Sequence, residues 1–139
     1  MVAPFQPHGA FKVRLDGRII VSDVTGPWNR EAVRDWVREI HKVAAVLNAS
    51  GPHVGLALVR ESLLCPPDAL AAMGQAIAYA TANLQCVGNG IVADATVEGR
   101  ELLQGTYARI YEGTAPHRFF HDIEGAKLWA LQLLAQHGA

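Results

Sequence analysis

The sequence is short of charge and of cysteine, and it lacks a long, strongly apolar run. Charged residues make up 18% of the 139, and the net charge is −1. Such a balance gives the molecule as a whole no pull on nucleic acid or anionic lipid, nucleic acid is not expected as a partner, and local charged patches are left open. Cysteine occurs twice, at Cys65 and Cys86. Two thiols build no disulfide framework, and neither sits in a CxxC or zinc-ligand spacing. No GxGxxG or GxxxxGK[ST] follows an apolar strand pattern, so no nucleotide-phosphate cradle and no cofactor is expected. Between Ala69 and Ala93 there is no charged residue at all. Gln75, Asn83, Gln85, Asn89 and three glycines interrupt that stretch, and alanine is too weakly apolar to make it a membrane span. It reads as a helix and a strand covered by protein, either the chain's own fold or a second subunit.

What the sequence does contain is a core. Half of its residues are apolar, which excludes a disordered chain, and the length suits one domain with no linker or repeat. The opening MVAPFQPHGAFKVRLDG has no apolar segment of the signal-peptide kind, so a cytoplasmic location and a bacterial style of protein are expected.

Phe11 to Leu15 and Arg18 to Val24 flank Asp16-Gly17, a hairpin signal. Asn29 to Ala49 reads as a helix capped by Asn29, with Val33, Trp36, Val37, Ile40, Val43, Ala44 and Leu47 on one stripe. VGLALV, Val54 to Val59, suits a strand covered on both faces. An alanine-rich helix follows from Pro67 to Leu84, then a strand from Val87 to Ala93. A third helix is expected from Asp94 or Thr96 to Glu112, burying Leu102, Leu103, Thr106, Tyr107 and Ile110. His117 to His121 reads as a short strand, and Asp122 caps a last helix, Ile123 to Gln136. The order β-β-α-β-α-β-α-β-α implies an α/β fold, a single-domain mixed sheet flanked by helices.

The closing segment HRFFHDIEGAKLWAL, His117 to Leu131, carries a short strand ending in Phe120, the acidic cap Asp122, and Ala126 and Trp129 three apart on a helix. This pattern and the order of elements resemble the STAS-like domains, in particular the SpoIIAA-like group. The resemblance implies a soluble, usually non-catalytic domain that binds partner proteins, nucleotides or small lipophilic molecules. In the phosphorylated regulators of that class the strand-to-helix turn carries Asp-Ser-Ser-Gly; here the matching turn reads ESLLCPPD, so no phospho-switch is carried over to Ser62.

That turn, VRESLLCPPDAL from Val59 to Leu70, is the candidate reaction site. Pro66 and Pro67 offer no N–H to an anion, and Asp68 puts a carboxylate where an anion would lie, so the corner is suited to start a helix. Cys65 is the one thiol placed for chemistry, but Asp68 opposes its ionisation and Arg60 is the only basic residue near it in sequence. His117, His121 and Asp122 suggest a metal site, yet a strand separates the two histidines by about 13 Å, too far for one ion. A pocket for a small apolar ligand would be lined by Trp28, Leu63, Leu64, Met73 and Tyr107. Three functional classes follow: a regulatory domain that self-associates as a homodimer through the alanine-rich helix Pro67 to Leu84, a carrier of a small apolar ligand, and a thiol enzyme using Cys65.

Overall fold

The computed structural model describes residues 9–139. Five strands form one sheet in sequence order: β1 (Ala10–Asp16), β2 (Ile19–Thr25), β3 (His53–Arg60), β4 (Cys86–Val92) and β5 (His117–Phe120). β1 and β2 pair antiparallel around the Asp16-Gly17 turn, where Gly17 takes a φ of 60° that favours glycine. The remaining pairs are parallel, joined through the helices α1 (Arg30–Asn48), α2 (Pro67–Asn83) and α3 (Gln104–Tyr111), and α4 (Ile123–Gln136) follows β5. Nine elements thus follow the expected order.

The sheet alternates its side chains between two layers. On one face Val24, Ala57, Val59 and Ile91 pack under α1, α2 and α3. On the other, Ile19, Val21, Val54, Leu56 and Val92 pack under α4 alone. α4 lies close to the sheet because Ala126 and Ala130 are its fully buried contact residues and because β4 has Gly88 beneath it. A Cβ on Gly88 would stand 2.5 Å from Leu133 and 3.3 Å from Trp129. Trp129 then packs on Phe120 with ring centroids 5.4 Å apart, the two aromatics of the closing sequence pattern.

Local sequence sets the helix starts. Asn29 accepts from the Ala32 N–H at 3.0 Å, and Asp122 from the Gly125 N–H at 2.9 Å. α2 opens without a side-chain cap on Pro66 and Pro67, where a missing N–H costs no helical bond. Arg18 fastens the turn after α1: its guanidinium donates to the carbonyls of Leu47, Gly51 and Pro52 and to the Ser50 hydroxyl.

The third helix departs from expectation. It begins at Gln104, and the ten residues before it, 94–103, form turns. Their backbone is committed elsewhere: Leu63 donates to the Glu98 carbonyl at 2.8 Å and Glu98 to the Glu61 carbonyl at 2.9 Å, a strand-like bridge to the end of β3. Gly99 takes a φ of 80°, and Arg100 turns inward, donating to the Ala93 carbonyl at 2.8 Å with its guanidinium 4.9 Å from the Phe119 ring centre. Leu102, expected in the buried stripe, is 84% exposed.

Candidate functional site

The corner after β3 is occupied by its own bonds. Ser62 is buried; its hydroxyl donates to Glu98 Oε1 at 2.8 Å and accepts from the Leu64 N–H at 3.0 Å. Glu61 adopts a φ of 68°, and Gly26 sits so close that a Cβ there would run into the Ser62 carbonyl oxygen. Cys65 is half-buried beside the Tyr107 phenol. Burial, with the Asp68 carboxylate adding to it, pushes its thiol up to about 11 against the opposing hydrogen bond to Tyr107. At neutral pH the sulfur is a protonated thiol and a poor nucleophile. The Tyr107 hydroxyl donates to the Leu63 carbonyl at 2.7 Å, and burial pushes its pKa up as well, keeping it protonated.

Of the five residues expected to line an apolar pocket, Trp28, Leu63, Met73 and Tyr107 share one buried cluster, and Leu64 is 41% exposed. Trp28 stacks on Trp36 with centroids 6.3 Å apart. These residues meet as packed core. The cavity lies one step away, and Met73 is the member of the five on its wall.

That cavity, of about 80 Å³, sits between the α1–α2 pair and the middle of the sheet. It exists because the residues facing it are small. Gly55 and Ala57 on β3 and Ala76 and Ala80 on α2 leave unfilled the space that larger side chains would take. Gly55 is required there, since a Cβ would lie 2.9 Å from Asn89 Oδ1 on the neighbouring strand. The rest of the wall is apolar, with Ile20, Leu56 and Ile77 among its members, and a few polar groups interrupt it.

Ser22 receives the Trp36 indole N–H at 2.9 Å, which holds the ring against the sheet. His53 is buried, and burial brings its imidazole down to about 4, against the bond its N–H donates to the Leu84 carbonyl. It is therefore neutral at pH 7, with Nδ1 as an acceptor. Among the described residues neither His53 Nδ1 nor Asn89 Nδ2 has a hydrogen-bond partner. Each unmet buried group costs about 1–3 kcal/mol, so a wall carrying one acceptor and one donor gains from a guest with a polar atom. Cys86 also lines the cavity; its thiol donates to the Gly88 carbonyl at 3.4 Å, and burial raises it.

Outside the cavity, α1 and α2 form a groove of about 510 Å³ lined by Arg30, Arg34, Arg38 and His41 on one side and Ala72, Gln75 and Tyr79 on the other. Val37, His41 and Ala76 belong to both walls, so groove and cavity lie on either side of these residues. His41 also packs its ring on Tyr79, with centroids 5.2 Å apart.

His117 lies in β5 and stacks on Tyr111, while His121 follows the strand's end. Among the described residues no group of three His, Cys, Asp or Glu is placed to hold a metal ion, and no helix is long and apolar enough to cross a membrane. Sequence reasoning passed over His53, Gly55, Asn89 and Ala76. The available signal was a polar residue between two glycines in an otherwise apolar strand, Gly88-Asn89-Gly90.

No family model matches the chain, and no curated protein matches it. Among solved structures the chain is similar to an uncharacterized protein of the DUF3478 family with a SpoIIAA-like fold, from Shewanella loihica PV-4. The two share 12% identity and a TM-score of 0.58 over 94% of this chain and 99% of that one. The fold is accordingly SpoIIAA-like: a mixed five-stranded α/β sheet with four helices.

Proposed function

We propose that the protein is a non-catalytic binding domain that carries or senses a small, largely apolar ligand held between the α1–α2 pair and the sheet. The observation that supports this reading is the cavity of about 80 Å³, apolar but for a few groups, two of which have unmet hydrogen-bonding capacity among the described residues. Ligand pockets have this character, a mostly hydrophobic wall with a small number of orienting polar atoms. Roughly half the volume of a cavity that admits benzene, it suits a short chain or the tip of a longer one. Chemistry at Cys65 has less support, because its thiol is held protonated and the nearby Ser62 hydroxyl is fully engaged.

Trp36 on the cavity wall is a built-in reporter. Titration with 1-hexanol should change its fluorescence saturably. Ala76→Leu, which fills the space with a good helix former, should abolish saturation while leaving the melting temperature within a few degrees. A linear, unsaturable response in the unmodified protein would sink the reading.

A second reading, regulation through a homodimer, is favoured by one observation. The solvent side of α2 presents Ala71, Gln75, Ala78, Ala82 and Asn83, all exposed and none charged. Small uncharged faces of this kind suit close helix approach at the core of an interface. The two readings are compatible, since these residues lie away from the cavity.

A further inference from the structure

We propose that the groove between α1 and α2 is an oxyanion subsite, so that the ligand is a small amphipathic anion with its carboxylate or phosphate among the α1 arginines and its apolar end in the cavity. This rests on the cavity reading above and names the chemical class of its ligand.

Four observations carry it. First, α1 sets Arg30, Arg34 and Arg38 four residues apart in one exposed line along the groove. Second, the facing wall from α2, formed by Ala72, Gln75, Ala76 and Tyr79, contains no acid. The charged side chains lining the groove are thus all cationic, an arrangement that favours small anions there. Third, these cations are little used by the fold. Arg30 and Arg34 form no ion pair among the described residues, and Arg38 meets Asp35 only at 3.5 Å with both side chains well exposed. Arg18 and Arg100, by contrast, are engaged with carbonyls of the fold. Fourth, groove and cavity are neighbours that share Val37, His41 and Ala76 as wall residues, so the head of a ligand in one lies beside its tail in the other once the His41 ring swings aside.

The proportions agree with the chemistry. The inner space of about 80 Å³ takes a short apolar end, while the outer groove of about 510 Å³ takes a hydrated head. Guanidinium groups bind carboxylate and phosphate through paired N–H donors, and Tyr79 and Gln75 add hydroxyl and amide donors on the far side. The same oxyanion chemistry is offered by a free metabolite-sized acid and by the head of an anionic bilayer lipid. The inner cavity favours the free acid, because a ligand must leave the bilayer to enter it.

The test compares hexanoate with 1-hexanol, equal in chain length and different in charge, on the full chain and on Arg30→Gln/Arg34→Gln, with calorimetry and Trp fluorescence as readouts. Both arginines are exposed, so the variant should fold, and its melting curve checks this. Hexanoate should bind about tenfold more tightly than hexanol, lose that advantage in the double variant, and weaken as salt is raised, while hexanol binding stays unchanged. Equal affinity of the two probes in both proteins would overturn the anion subsite and leave the cavity reading standing. Saturation by neither probe would remove the cavity reading and this inference with it. Arginine-dependent co-sedimentation with phosphatidylglycerol vesicles, with no hexanoate saturation, would assign the groove to a membrane surface and also overturn the proposal.

Discussion

A neutral histidine inside a sheet makes stability depend on pH in a defined direction. His53 has a pKa near 6.5 when unfolded and about 4 when folded, because burial disfavours its charged form. Above pH 6.5 it is neutral in both states and its contribution is complete. Between 6.5 and 4 the unfolded chain takes up a proton that the folded chain refuses, so stability falls as pH falls, by up to about 1.4 kcal/mol per pH unit. Near pH 4 the loss levels off. Chemical denaturation from pH 8 to pH 4 should show this slope, and His53→Gln, which keeps a donor and does not titrate, should flatten it. His53 was invisible as a site in the sequence: a single histidine beside an apolar run has no motif around it. Its state depends on burial and on Leu84, Arg18 and His41, which only the folded chain brings near.

At the scale of elements, local chemistry decided most starts, and long-range pairing decided the one that moved. Asn29 and Asp122 cap their helices through side-chain oxygens, as their residue types and positions in the sequence led one to expect. Asn29→Ala should cost about 1 kcal/mol of global stability, read from the urea midpoint at unchanged slope. Residues 94–103 follow the opposite logic. Asp94 does cap locally, accepting from the Thr96 N–H at 2.8 Å, but the helix that such a cap announces does not follow. The Glu98 backbone pairs instead with Glu61 and Leu63, and Arg100 is drawn inward over Phe119. None of those partners is near in sequence, so a helical stripe through Leu102 was the natural expectation and a wrong one.

At the scale of the whole molecule the sheet has unequal cover. Three helices shield one face and α4 alone shields the other, and from Ala71 to Asn83 the outer side of α2 carries no charged residue. If this side joins two copies, the protein sediments as a dimer, and Ala78→Glu, which sets a carboxylate in its middle, should give the monomer mass with little change in melting temperature. Sedimentation of the unmodified protein as a monomer at tens of micromolar would discard the homodimer. The cavity lies on the sides of α1 and α2 that face the sheet, so loss of the dimer should leave hexanol binding intact, while Gln75 belongs both to the outer side of α2 and to the arginine groove.

By itself the sequence determined the number, kind and order of the elements, the hairpin, the caps of the first and last helices, and the α/β class, because each depends on side-chain period, turn residues and neighbours within a few positions. It also disclosed the charge-free stretch that became α2 and β4. Tertiary structure alone decided where the interior is incomplete. A cavity is made by what several distant residues fail to fill, here Gly55, Ala57, Ala76 and Ala80 from two elements, and absence of volume has no local signature. For the same reason the line of arginines on α1 reads in sequence as a solvated helix face. It becomes a groove only when an acid-free helix is laid beside it.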